Sequence, residues 1–224
     1  MKSVKIAIDG PSGAGKSTMA KMIARELGIT YLDTGSMYRA VALKAIRLGV
    51  DTVDRLGVSR IIPEIVISIR YENGNQCVLL DGEDVTGLIR TNEVSMGASN
   101  VSAVPEVRTR LVELQREIAR NQAVVMDGRD IGTHVLPDAD LKIFLTASVS
   151  ERAQRRYDEL KMKGLLDKTY EQLIHEIEIR DHNDSTREFS PLKKADDAIV
   201  LDTTGINVEK SAEIIMDIIG KRFK

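Results

Sequence analysis

The chain has 224 residues, 42% of them hydrophobic, enough to bury a sizeable core as one large domain or as a core with inserted lobes. Its formal net charge of −2 gives no global attraction to nucleic acid or to an anionic membrane, so any grip on phosphate must come from local clusters of arginine and lysine. The lone Cys77 excludes an intramolecular disulfide and a Cys-based zinc site and suits a reducing compartment. The apolar run at residues 4–8 is too short for a signal-peptide core, and no later run approaches membrane-spanning length. The chain therefore reads as a cytoplasmic protein whose partner is small rather than a nucleic-acid polymer or a membrane.

Residues 2–9 predict a strand, and the stretch after it is the most informative of the sequence. Gly10, Pro11, Ser12, Gly13, Ala14, Gly15, Lys16, Ser17 and Thr18 fill the pattern G-x-x-x-x-G-K-[ST], with Gly10, Gly15, Lys16 and Ser17 on its fixed positions. Glycines let such a loop turn so that successive N–H groups converge on anionic oxygens. Lys16 adds a mobile positive charge, the Ser17 hydroxyl can ligate Mg²⁺, and the helix that begins here directs its positive end at the same phosphates. That helix is predicted over residues 16–27, with Met19, Ile23 and Leu27 on one face and Gly28 as its stop.

A second β/α unit follows, with a strand at 29–33 and a helix at 36–48 that stops at Gly49. Runs at 65–71 and 76–81 flank Glu72-Asn73-Gly74-Asn75 and predict a β-hairpin, which interrupts the alternation and reads as an insertion. Pro105 opens a helix reaching residue 121, with Val107, Leu111, Leu114 and Ile118 on one face. Strands are predicted at 123–127, 140–146 and 198–202. Helices begin at the capping patterns Ser148-x-x-Glu151 and Thr169-x-x-Gln172, and a last helix spans 207–219. Alternating strands and helices predict an α/β fold with helices on the faces of a sheet whose carboxyl edge binds ligands. No internal repeat, low-complexity tract or dividing linker interrupts it.

Three charged clusters fall where a phosphate or sugar could meet them. Asp33-Thr34-Gly35-Ser36-Met37-Tyr38-Arg39 reads either as a capped helix with an exposed arginine or as a phosphate contact. Asp127-Gly128-Arg129-Asp130 follows a strand at the sheet edge and reads as a turn or as part of the crevice. Arg180, Asp184 and Arg187 are spaced to share one helix face. They form either a solvated ion-pair ladder or a phosphate clamp whose carboxylate accepts sugar hydroxyls. Arg152, Arg155, Arg156, Lys161 and Lys163 make a basic stretch that reads either as a plain helix surface or as a mobile cover over a transferring phosphoryl group. His134, His175 and His182 lack metal-ligand spacing and read as packing or surface residues.

The phosphate loop alone serves kinases, switches, motors and transporters. The chain lacks the Asn-Lys-x-Asp guanine-reading motif and the Leu-Ser-Gly-Gly-Gln transporter motif. The loop, Leu32-Asp33-Thr34-Gly35-Ser36-Met37-Tyr38-Arg39, Asp81-Gly82-Glu83-Asp84-Val85-Thr86 with Ile89-Arg90-Thr91, Asp127-Gly128-Arg129-Asp130-Ile131-Gly132-Thr133, and Arg180-Asp181 with Asp184 and Arg187 together resemble the bacterial cytidylate kinase family over almost the whole chain. The resemblance implies a P-loop fold with a five-stranded parallel sheet, an enlarged monophosphate-binding lobe that includes residues 60–95, and a lid near 152–170, all in one kinase domain. It implies transfer of the γ-phosphoryl of ATP to CMP or dCMP with Mg²⁺. The lack of a long apolar surface helix in the sequence reads as a monomer.

By the same resemblance, Gly10 to Thr18 bind ATP and Ser17 the metal. Thr34, Tyr38, Arg39, Ser99, Arg108, Arg129, Asp130, Arg180, Asp184 and Arg187 bind CMP, and Lys16, Arg129 and Arg187 act in the transfer. Ser99, Arg108 and Asp130 read the cytosine, Asp184 with Arg180 holds the pentose, and Arg39, Arg129 and Arg187 grip the phosphate. Another P-loop kinase, acting on UMP or shikimate, and a nucleotide-dependent switch are the alternatives.

Overall fold

The first strand, β1 (Lys5–Asp9), is buried over its last four residues, as a strand covered on both faces must be. The structure is a computed structural model and describes residues 3–223; Lys2, expected to open this strand, lies outside the described residues. Helix α1 (Lys16–Leu27) has the predicted bounds, with Gly15 at its start and Gly28 closing it through a bond from its N–H to Ala24 O. Strand β2 (Thr30–Asp33) follows, then α2 (Thr34–Arg47). That helix begins two residues before its expected start because Asp33 is its cap: the carboxylate accepts the Ser36 N–H at 3.0 Å. The short α3 (Arg55–Ile61), capped by Asp54 and burying only Val58, has too little apolar periodicity to be read from the sequence.

The predicted hairpin forms from β3 (Ile67–Glu72) and β4 (Asn75–Leu80). Asn73 and Gly74, at φ 50° and 76°, make its two-residue turn, the left-handed pair that suits the twist of a tight hairpin. A two-residue strand, β5 (Glu83–Asp84), completes an antiparallel sheet of order β3-β4-β5. Helices α4 (Asn92–Val101) and α5 (Pro105–Asn121) come next, the latter with proline in its first turn as expected. Helix α2 packs against β4, α4 and α5.

The remaining strands and α-helices are β6 (Val124–Gly128), β7 (Leu141–Thr146), α6 (Val149–Met162), α7 (Tyr170–Thr186), β8 (Ile199–Asp202) and α8 (Val208–Phe223), with a π-helical turn at Ile131–Val135 between β6 and β7. Ser148 caps α6, and Thr169 with Gln172 forms a reciprocal capping box on α7. Helix α8 runs four residues past its expected end, its last turn carrying Lys221 and Arg222, whose charge suits a helix carboxyl terminus. Asp127 and Gly128 are the last residues of β6, so only Arg129 and Asp130 of that cluster lie beyond the strand.

The chain divides into two compact units, residues 1–29 with 124–224, and Thr30–Ala123. The hairpin belongs to the second. The parallel sheet is five-stranded, in the order β2-β6-β1-β7-β8, and the fold is α/β. In the first unit, Asp9 stands opposite Gly128 of β6 and Phe144 of β7, and Thr146 opposite Asp202 of β8. The carboxyl ends of these strands therefore share one edge, from which the phosphate loop, the 129–132 segment and α6 all depart, the placement that binds ligands in open α/β sheets. Among the described residues no helix is long and apolar enough to cross a membrane.

Candidate active site

Gly10 begins the phosphate loop pressed against β7. At φ 148°, a Cβ added to it would lie 1.9 Å from the Leu145 carbonyl oxygen, so no larger residue fits without moving that strand. Lys16 is buried rather than a freely mobile charge, and its Nζ donates to the Pro11 carbonyl at 2.7 Å. Burial pulls its ammonium down to about 7, helped by the neighbouring charge of Arg129. Ser17 Oγ donates to Asp127 Oδ2 at 2.8 Å, setting a hydroxyl and a carboxylate side by side. Ser12 is held from two helices: Arg152 Nη1 donates to its carbonyl at 3.1 Å and Arg180 Nη1 to its Oγ at 3.2 Å.

Around this loop the first unit gathers a buried group of opposite charges. Arg129 Nε donates to Asp184 Oδ2 at 2.6 Å. Arg187 lies 3.7 Å from both Asp184 Oδ1 and Asp130 Oδ1. Burial would raise the Asp184 carboxyl, but Arg129, Arg180 and Arg187 outweigh it and hold it below the usual range; burial likewise opposes the Arg129 charge, and Asp184 more than offsets that. The expected single helix face needs correction on two points. Arg187 is the residue after α7, in extended conformation, with its Nε bonded to Ser190 O at 2.7 Å. Asp184 is buried and paired with Arg129 from another segment, so the solvated ion-pair ladder does not form.

The basic stretch on α6 is anchored along its first turns. Arg152 is buried, donating also to Ala147 O at 2.9 Å and Asp181 Oδ2 at 2.6 Å, while Arg155 donates to Thr203 Oγ1 and O at 3.0 and 2.8 Å. Arg156 pairs with Glu159 at 3.0 Å.

The second unit carries the other predicted residues. Thr34, Tyr38 and Arg39 stand on the first turns of α2, with Arg39 Nη2 bonded to Asp33 Oδ2 at 2.7 Å. The Arg108 guanidinium lies 5.6 Å from the centre of the Tyr38 ring, and its Nη1 donates to Ser102 O at 3.4 Å. Ser102 Oγ in turn donates to Ser99 O at 2.7 Å, and Ser99 Oγ is buried with no hydrogen-bond partner. Each unit thus brings its own predicted residues together: Arg129, Asp130, Arg180, Asp184 and Arg187 beside the loop in the first; Tyr38 with Arg108 in the second.

The sequence model of the cytidylate kinase family matches residues 6–221, almost the full length. The chain belongs to the cytidylate kinase family. Proteins named cytidylate kinase from Caldicellulosiruptor bescii and Streptococcus pneumoniae are each 53% identical to it. The first alignment covers 100% of this chain and 99% of the relative, the second 96% of each. One named cytidylate kinase from Carboxydothermus hydrogenoformans is 50% identical over 98% of both. A solved structure of an uncharacterized protein from Eubacterium ventriosum superposes over 99% of this chain and all of its own with a TM-score of 0.54, a likeness of fold at 15% identity.

Within this cytidylate kinase family member, the contacts of three acidic residues escaped the sequence reading. Asp127 was visible in its cluster, yet nothing in its spacing told that its carboxylate meets Ser17, 110 positions away. Asp9 ends β1 in an apolar run and is 4% exposed, with Oδ1 and Oδ2 accepting the N–H groups of Ile131 and Gly132 at 2.7 Å each. Burial pushes its carboxyl up to about 6 against those two donors, with Asp130 adding to the rise and Lys16 opposing it. Asp181, next to a predicted residue, bonds the buried Arg152. The common signal is an acidic residue at the end of a strand or beside an arginine, too frequent on surfaces to single out.

Proposed function

We propose that the chain is an ATP-dependent (d)CMP kinase, moving the γ-phosphoryl of ATP to the phosphate of CMP or dCMP to give ADP and the nucleoside diphosphate, and that it acts as a monomer in the cytoplasm. The observation that carries this reading is the meeting of the phosphate loop with a buried guanidinium cluster. Arg180 donates to Ser12 of the loop, and the charge of Arg129 is felt at Lys16. Phosphoryl transfer needs little covalent chemistry from protein, and much positioning and positive charge around the equatorial oxygens.

In this reading Gly10 to Thr18 wrap the donor phosphates, with Lys16 leaving the Pro11 carbonyl for the β and γ oxygens. Arg39, Arg129 and Arg187 grip the acceptor phosphate, whose oxygen is already anionic and needs no base. Asp184 and Arg180 hold the pentose through the 3′-hydroxyl, which deoxyribose retains. Ser99, Arg108 and Asp130 read cytosine, because its amino group donates where uracil would present a carbonyl. The unpartnered Ser99 hydroxyl suits that role. Ser17 and Asp127 offer adjacent hard oxygen donors that fit Mg²⁺, which when bound supplies positive charge at the donor phosphates.

A coupled ADP-release assay across CMP, dCMP, UMP, GMP and shikimate tests the reading. Turnover is expected with CMP and dCMP well above the others. Preference for shikimate or UMP, or slow hydrolysis that no acceptor accelerates, overturns it.

A further inference from the structure

Two polar side chains of the hairpin reach the end of β2 and the start of α2, and their geometry has a specific form. Tyr71 and Gln76 stand directly opposite each other across β3 and β4, beside the Asn73-Gly74 turn. Both reach the end of β2. The Tyr71 hydroxyl donates to Tyr31 O at 3.1 Å. The Gln76 amide spans Asp33: its Oε1 accepts the Asp33 N–H at 2.7 Å, and its Nε2 donates to Asp33 O at 3.2 Å and to Ser36 Oγ at 2.7 Å. One side-chain amide thus satisfies both backbone groups of a single residue, as a neighbouring strand would, and adds a third bond to the helix it precedes.

Asp33 is a junction. Its Oδ1 caps α2 through Ser36 N, and its Oδ2 holds Arg39 Nη2 at 2.7 Å. Ser36 Oγ donates back to Asp33 O at 2.6 Å. Arg39 keeps a buried Nε with no hydrogen-bond partner, a donor oriented before any ligand arrives. Fixing the Asp33 backbone therefore fixes the aim of that guanidinium and the start of the helix that carries Thr34 and Tyr38.

We propose that Gln76 is a positioning residue for the acceptor phosphate, clamping Asp33 so that Arg39 and the first turn of α2 are held ready for an anionic monophosphate. This gives the hairpin a task in binding and rests on the (d)CMP kinase reading above. Small displacements of a positioning group weaken binding and rate far from the chemistry itself.

The test is Gln76→Met, which keeps length and bulk and removes all three bonds, alongside Gln76→Glu, which keeps an acceptor for the Asp33 N–H and loses both donations. Both variants are expected to raise the KM for CMP about tenfold while the KM for ATP stays within about twofold, tenfold in KM corresponding to about 1.4 kcal/mol. Amide hydrogen exchange of residues 33–36 in the ligand-free enzyme is expected to speed up in both. A variant that merely unfolds in part would lower the active fraction and leave both KM values in place. Unchanged exchange, unchanged CMP KM, or equal rises for both substrates overturns the proposal. Absence of CMP-dependent turnover in the parent enzyme overturns the kinase reading instead, and the exchange result still decides whether the clamp exists.

Discussion

Arg129 Nε and Asp184 Oδ2, 55 residues apart in sequence, meet at 2.6 Å with their side chains only 17% and 6% exposed. A pair so far from water is held by its own attraction, and removing either partner strands the other as an uncompensated charge. Arg187 Nη1 lies 3.7 Å from the other oxygen of the same carboxylate, so Asp184 stands between two guanidiniums, and the charge of Arg180 adds to its stabilisation.

Asp184→Ala is therefore expected to lower stability by about 3–5 kcal/mol and to raise the KM for CMP at least tenfold while the KM for ATP rises much less. Urea unfolding and steady-state kinetics with each substrate varied check it. Because the Asp184 carboxyl is held below its ordinary value in the folded chain, its stabilising contribution is present at neutral pH and is lost on acidification through that lowered value. Equal losses for CMP and ATP would indicate a general folding defect in place of a local one.

The phosphate loop and most elements were legible because each obeys a local rule: G-x-x-x-x-G-K-S between strand and helix, Asn-Gly in a hairpin, Pro105 at a helix start, Thr169 and Gln172 in a capping box. What stayed hidden depends on distance in sequence. The Ser17–Asp127 contact, the Asp9 bonds to the 131–132 segment and the Gln76 clamp each join residues 40 or more positions apart, and periodicity carries no information at that range. The Arg180, Asp184 and Arg187 spacing suggested one helical face, but α7 ends at Thr186 and the third residue swings to bond Ser190 O. Helix α4 was missed for a local reason: Gly97 and Ser99 dilute its apolar stripe, and its amphipathic face shows only against α2.

Asp130 is buried beside Arg187, at the end of the segment that Asp9 holds. Replacing its carboxylate by an amide turns one of two acceptor oxygens into a donor and removes the negative charge, so the side chain can meet a uracil carbonyl as well as the cytosine amino group. Asp130→Asn is expected to lower kcat/KM for CMP about 10- to 100-fold and to narrow the preference for CMP over UMP by at least tenfold. Side-by-side assays with the two acceptors measure it, and undiminished discrimination would remove Asp130 from base recognition.

Lys16 separates stability from catalysis. Its ammonium is penalised by burial and by Arg129, so an apolar chain of similar length should not harm the fold, whereas the transferring group would lose its nearest positive charge. Lys16→Met is expected to keep or raise Tm and to reduce kcat by about 100-fold or more. Calorimetry and initial rates at saturating ATP check both halves, and a well-folded variant with near-parental kcat would refute the assigned role.

Asp9 offers a pH signature whose sign discriminates between two opposing effects. Two backbone N–H groups at 2.7 Å favour the carboxylate, while burial and Asp130 disfavour it, and burial wins: the carboxyl titrates at about 6 in the fold against 3.8 in the free state. Between those values the folded chain binds more protons than the unfolded one, so this group's contribution is fully present below about 4 and declines as pH rises through about 6, by on the order of 3 kcal/mol. Asp9→Asn does not titrate, and its single oxygen can replace only one of the two accepting oxygens, so it gives a reference whose own contribution does not change with pH. The stability advantage of the parent chain over Asp9→Asn, measured by urea unfolding from pH 4 to 8, is expected to shrink up to about pH 6 and then level off. An advantage that grows with pH would mean that the Ile131 and Gly132 donors outweigh burial, and that Asp9 is an ordinary low-titrating carboxylate.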